Sequence, residues 1–144
     1  MKKILCILFA ALFFTGVVQA RDTKHMLPID DALASPAYEG KLNPDIKLYF
    51  GDQSHGRVAQ KYGDFVSNKK TNAFGKSDKK ACEWVLLSAL ISLQERALSE
   101  GGNAVVNIRS YYKKNEVSSA TQYECHAGAI MAGVALKGTV VKLR

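Results

Sequence analysis

The chain has 144 residues, 47% of them hydrophobic, and carries a formal net charge of +7. That length leaves room for one domain around one core rather than several. The basic excess is too mild, in a chain that opens on an export pattern, to argue for nucleic acid as a partner.

Lys2 and Lys3 form a positive start, Ile4 to Val18 is an almost wholly apolar run, and Val18-Gln19-Ala20 offers small residues for cleavage before Arg21. This is a secretory leader over residues 1–20. The run is short for a membrane span, and no stop-transfer pattern follows it. Cys6 sits too early in the run for a lipid-modified cysteine and is lost with the leader. Cleavage leaves 124 residues and, with Lys2 and Lys3 gone, a net charge of +5. The expected location is periplasmic or secreted.

Residues 21–45 read as a loosely structured lead-in to a single domain spanning 21–144. Within it, Leu27 to Leu33 is expected to make one or two helical turns behind Pro28. Ile46 to Phe50 alternates like a strand, with a turn at 51–56. A second strand is expected within Arg57 to Val66, interrupted at Gly63-Asp64, and Ser67 to Lys76 reads as polar loop.

Ser77 or Asp78 then caps the main helix, expected from about Lys79 to Ser99 and stopped by Gly101-Gly102. Cys82, Val85, Leu86, Ala89, Leu90, Leu93 and Ala97 share one broad face that should lie on a sheet. Trp84, Leu87, Ile91 and Leu98 fall nearly opposite and need a second cover, either the N-terminal segment with Leu27, Ile29 and Leu33 or another subunit. The N-terminal segment is the expected one. Strands follow at Ala104 to Lys113, from Thr121 to His126, and from Ala129 to Leu143. Gly128, Ala129, Ala132, Gly133 and Ala135 are small enough to let the helix approach closely. The expected fold class is α+β, an antiparallel sheet of four to five strands with one long helix on a face.

With Cys6 removed, Cys82 and Cys125 remain, an even count in an oxidising compartment. A Cys82–Cys125 disulfide is expected, closing a loop of about 44 residues and stabilising the fold by roughly 4 kcal/mol. It would pin the first turn of the helix to a strand.

Catalytic chemistry has little to stand on. There is no GxSxG elbow, no HExxH helix and no CxxC pair, and Cys125 and His126 point to opposite sides of a strand. His25 lies near the new N terminus and His55 in a turn. No catalytic residue and no cofactor are expected. The alternative is metal binding through Cys82, Cys125, His126 and His55, whose spacing matches no compact metal motif.

The remaining reading is a binding or structural module. Lys69, Lys70, Lys76, Lys79 and Lys80 crowd into one short stretch, and Tyr111-Tyr112 adjoins Lys113 and Lys114. These lysines with Tyr112 are the candidate contacts for an anionic ligand or an envelope protein. A homo-oligomer fits the same pattern.

The segments "LISLQERALSEGGNAVVNIRSYYKKN" and "YECHAGAIMAGVALKGTVVKL", with "KLYFG" and "KKTNAFGKSDKKAC", resemble a family of small exported bacterial proteins. Many of its members carry the automatic label "excinuclease ATPase subunit". Nothing in this chain reads GxxxxGK[ST], the phosphate-cradling loop an ATPase needs. More distantly, the helix–Gly102-Asn103-Ala104-Val105–strand turn is similar to the sensor lipoprotein of the Rcs envelope-stress pathway. It is also similar to small oligomeric domains described as putative heavy-metal-binding. The resemblance implies an envelope module with a possible stress-sensing or signalling role. The chain differs from the sensor in having no lipobox and one pair of cysteines.

Overall fold

The computed structural model describes residues 20–144, so the expected leader, Ala20 excepted, lies outside the described residues. Six strands form one sheet, and one long helix covers a face of it. The α+β expectation holds, with one strand more than anticipated. In chain order they are β1 (Thr23–Pro28), α1 (Ile29–Leu33), β2 (Lys47–Phe50), β3 (Val58–Asn72), α2 (Asp78–Glu100), β4 (Ala104–Ser110), β5 (Gln122–Ala127) and β6 (Met131–Leu143).

β6 is the hub. One of its edges pairs with β3 from Met131 to Leu143, and the other is shared. β5 takes Ala132 and Gly133, and β4 takes Leu136 to Val141. β1 extends the sheet beyond β5, and β2 extends it beyond β4. The β2–β4 pair is parallel, so the sheet is mixed rather than wholly antiparallel. The intervening β3 and α2 supply the long crossover that a parallel pair requires.

Two expectations are corrected here. Residues 23–28, expected to be loose, form β1 and pair along β5 from Thr23–Ala127 to Pro28–Gln122. Residues 67–72, expected to be loop, continue β3, because the facing half of β6 offers a full ladder. Gly63 does not end the strand: it adopts φ +125 at a register shift, a bulge that glycine tolerates without a Cβ clash.

α2 forms where expected. Ser77 caps it, its Oγ accepting from the Lys80 N–H at 3.2 Å. Gly101 closes it in the left-handed conformation. Cys82, Val85, Leu86, Ala89, Leu90, Leu93 and Ala97 are all 1% exposed or less. They meet Val105, Ile108, Tyr123, Ala132, Val134, Leu136 and Val140 from the sheet. Close approach is set at Gly138, where a Cβ would lie 2.5 Å from Val105 Cγ1 and 3.6 Å from Leu93 Cδ1. Gly133 does not serve this purpose: it stands opposite Lys70 on the other surface.

The opposite stripe of α2 is covered in part, and by the N-terminal segment. Ile29, Ala32, Tyr38 and Ile46 join the same core as Leu87. The Tyr38 hydroxyl donates to the Glu83 carbonyl at 2.6 Å. Gln94, 4% exposed, fixes the segment: its Oε1 accepts from Asn43 N–H at 2.8 Å and its Nε2 donates to the carbonyls of Asn43 and Ile46. Satisfying these buried backbone groups is what makes a polar side chain acceptable at that depth. Trp84 and Leu98 remain 43% and 62% exposed. Among the described residues no helix is long and apolar enough to cross a membrane.

Candidate functional site

Cys82, in the first turns of α2, is bonded to Cys125 on β5, with their Cα atoms 5.8 Å apart and both residues fully buried. The joint is reinforced beside the sulfurs. His25 stands opposite Cys125 on β1, and its Nε2 lies 2.8 Å from Asp78 Oδ2 at the start of α2. Arg21 forks onto the same carboxylate at 2.8 and 3.1 Å. Arg21, and then His25, hold the Asp78 carboxyl down at about 2. His25 is therefore a fixed member of the sheet, not part of a loose tail.

Two clefts open on either side of this joint. The first, about 670 Å³, lies on the sheet surface away from α2, where Lys70, Tyr112 and His126 meet the turn from Gly128 to Gly133. The rings of Tyr112 and His126 stack with centroids 3.4 Å apart and planes 10° from parallel. His126 Nε2 lies 2.8 Å from Glu124 Oε2, and its Nδ1 lies 3.5 Å from Asp22 Oδ1. Tyr112 donates its hydroxyl to Asp22 at 3.1 Å. Burial, aided by that bond, raises the phenol above its ordinary pKa. Lys113 reaches over the Tyr112 ring at 5.4 Å. β4 ends at Ser110, so Tyr111 and Tyr112 are not the strand pair expected. They enter a short turn in which Lys113 and Lys114 both take positive φ, 51 and 64, an uncommon conformation for lysine.

The second cleft, about 760 Å³, lies at the start of α2 between Pro36, Lys76, Lys79, Lys80, Glu83 and Trp84. A third groove, about 540 Å³, runs between β3 and α2, where Arg96 lies 4.1 Å over the Phe65 ring.

The expected five-lysine cluster is thus divided. Strand alternation turns Lys69, opposite Val134, and Lys70, opposite Gly133, to different faces. Lys70 joins the first cleft, and Lys76, Lys79 and Lys80 line the second. Among the described residues Lys69, Lys70, Lys76, Lys80, Lys113 and Lys114 have no carboxylate within ion-pair distance, and Lys79 has only Asp31 and Glu83 at 3.8 and 3.9 Å. By contrast, Arg96 is matched by Glu100, Arg109 by Asp64 and Glu116, and Lys137 by Glu116.

The candidate metal set is not assembled. Cys82 and Cys125 are spent on each other. His55 Nδ1 lies 2.8 Å from the Gly56 carbonyl, and its ring meets Tyr49 edge-on, while His126 is held at the first cleft. No three His, Cys, Asp or Glu side chains among the described residues converge as a metal site. Phe74, Ile130 and Met131, all well exposed beside the clefts, were not singled out in the sequence. The apolar pair Ile130-Met131 in a turn was the available signal. No family model, no curated protein and no solved structure matches the chain significantly.

Proposed function

We propose that the protein is an exported, non-catalytic binding module of the bacterial envelope that holds an anionic partner at one end of its sheet. The observation that carries this reading is the placing of unpaired cations at concave surfaces. Lys70 lines the first cleft and Lys76 and Lys80 line the second, none of them with a carboxylate partner among the described residues, whereas the equally unpaired Lys47, Lys61 and Lys142 line none of the three clefts. Unneutralised lysines beside concave surfaces attract anions at the cost of little reorganisation. The leader pattern and the buried disulfide support an oxidising, periplasmic or secreted setting. The resemblance to small exported proteins and to the Rcs sensor domain supports an envelope role, with stress sensing as its specific form.

The test is retention of the exported protein on phosphocellulose. K70E/K76E/K80E is expected to elute at roughly half the salt concentration needed for the wild type. K47E/K61E/K142E makes the same charge change at the other end of β6, where these exposed residues cluster around Ala104 and Val141. It is expected to elute close to the wild type. Equal shifts for the two variants would mean that net charge, not the basic end, governs binding.

A further inference from the structure

The basic end is also the apolar end. Phe74, Ile130 and Met131 are 75%, 64% and 48% exposed, among the most exposed large apolar side chains described. They come from two turns far apart in sequence. The Ala73 N–H donates to the Ile130 carbonyl at 2.6 Å, and Asn72 stands opposite Met131, so the two turns form one tip. The tip is braced. Phe74 N–H donates to Asn72 Oδ1 at 2.8 Å, and Lys76 Nζ donates to the Asn72 carbonyl at 3.0 Å. Arg21 and Lys70 share the first cleft with Ile130 and Met131, Lys76 closes onto Asn72, and Lys80 lies beside Lys76 in the second cleft; the acids here are Asp22, Glu83 and the already paired Asp78.

Resting on the reading above, that this end is the contact surface, we infer that its partner is the surface of an anionic phospholipid bilayer. Phe74, Ile130 and Met131 enter the boundary between headgroups and acyl chains, and the surrounding lysines meet the phosphates. A free phosphate or a phosphorylated protein needs donors only. Exposed apolar side chains ringed by lysines suit an interface that is apolar below and anionic above. The path of the chain points the same way. Ala20 and Arg21 line the first cleft, and a Cβ on Gly128 would sit only 2.5 Å from the Arg21 carbonyl oxygen. The expected cleavage before Arg21 would therefore place the new ammonium group at this tip.

Sedimentation of the exported protein with vesicles tests the inference. Vesicles of equal parts phosphatidylglycerol and phosphatidylcholine are expected to bind it roughly 100-fold more tightly than phosphatidylcholine alone. K70Q/K76Q/K80Q should lose roughly 100-fold on the mixed vesicles, at about fivefold for each lysine removed. F74S/I130S, which alters exposed positions only, should lose about tenfold on vesicles while keeping wild-type retention on phosphocellulose. Vesicle binding indifferent to F74S/I130S, or to phosphatidylglycerol, would overturn the inference. Absence of vesicle binding with phosphocellulose retention intact would overturn it too, leaving a soluble or protein-borne anion as partner. Loss of both would remove the binding-module reading with it.

Discussion

C82A/C125A is expected to unfold with roughly 4 kcal/mol less stability than the oxidised wild type, a fall in Tm of roughly 12–20 °C for a domain of this size. The magnitude follows from the sequence separation of 43 residues that the bond closes. An open chain has that much more conformational freedom to lose on folding. Both sulfurs are fully buried, so replacing them with alanine also removes packed volume between α2 and β5. Thermal unfolding followed by circular dichroism reads the effect, with wild type plus reductant as a second sample. The loss should be uneven. The Cys82 end of α2 hangs on the disulfide and on Asp78, so amide exchange should quicken there before it does near Ala97, which is seated in the core. A loss below about 1 kcal/mol in both samples would show that the sheet holds the helix without the bond.

Leu90→Ala should cost about 2–5 kcal/mol, and Leu98→Ala less than about 0.5 kcal/mol. Both leucines lie on α2, two turns apart, and both are apolar signals in the sequence. Leu90 is 0% exposed against the sheet, whereas Leu98 is 62% exposed. Truncating Leu90 leaves a cavity in the close-packed core between α2 and the sheet. Urea denaturation of the two variants checks the pair. Similar losses would mean that Leu98 is covered, which points to a second subunit on that face.

This contrast also marks where the sequence stops being informative. α2 was readable because its signals are local: Ser77 at the start, two glycines at the end, and apolar residues at helical spacing between. The disulfide was readable because only Cys82 and Cys125 lie outside the expected leader. β1 was not, since "TKHMLP" lacks strand alternation and is made a strand by its ladder to β5. The second half of β3, "SNKKTN", looks like loop because an edge strand facing solvent needs few apolar residues. Its partner, 60 or so residues later in β6, decides the matter. The parallel β2–β4 pair is likewise a tertiary choice that no residue announces.

The site divides the same way. Lysines were visible as charge, but their partition between two clefts depends on strand alternation and on the turn after β3. Phe74 and Ile130 are 56 positions apart by number and become neighbours through one backbone hydrogen bond. Gln94 falls between the two apolar stripes of α2, and nothing local shows that it is buried; the N-terminal segment does that by bringing three backbone groups to it.

The central claim is that this is an exported domain whose long helix is stapled to its sheet by one sulfur–sulfur bond. Intact mass of the protein isolated from its own cells, before and after reduction, addresses it in one experiment. The account predicts a chain beginning at Arg21, recovered outside the cytosol, that gains the mass of two hydrogens on reduction. A cytosolic, full-length chain with both thiols already reduced would contradict it.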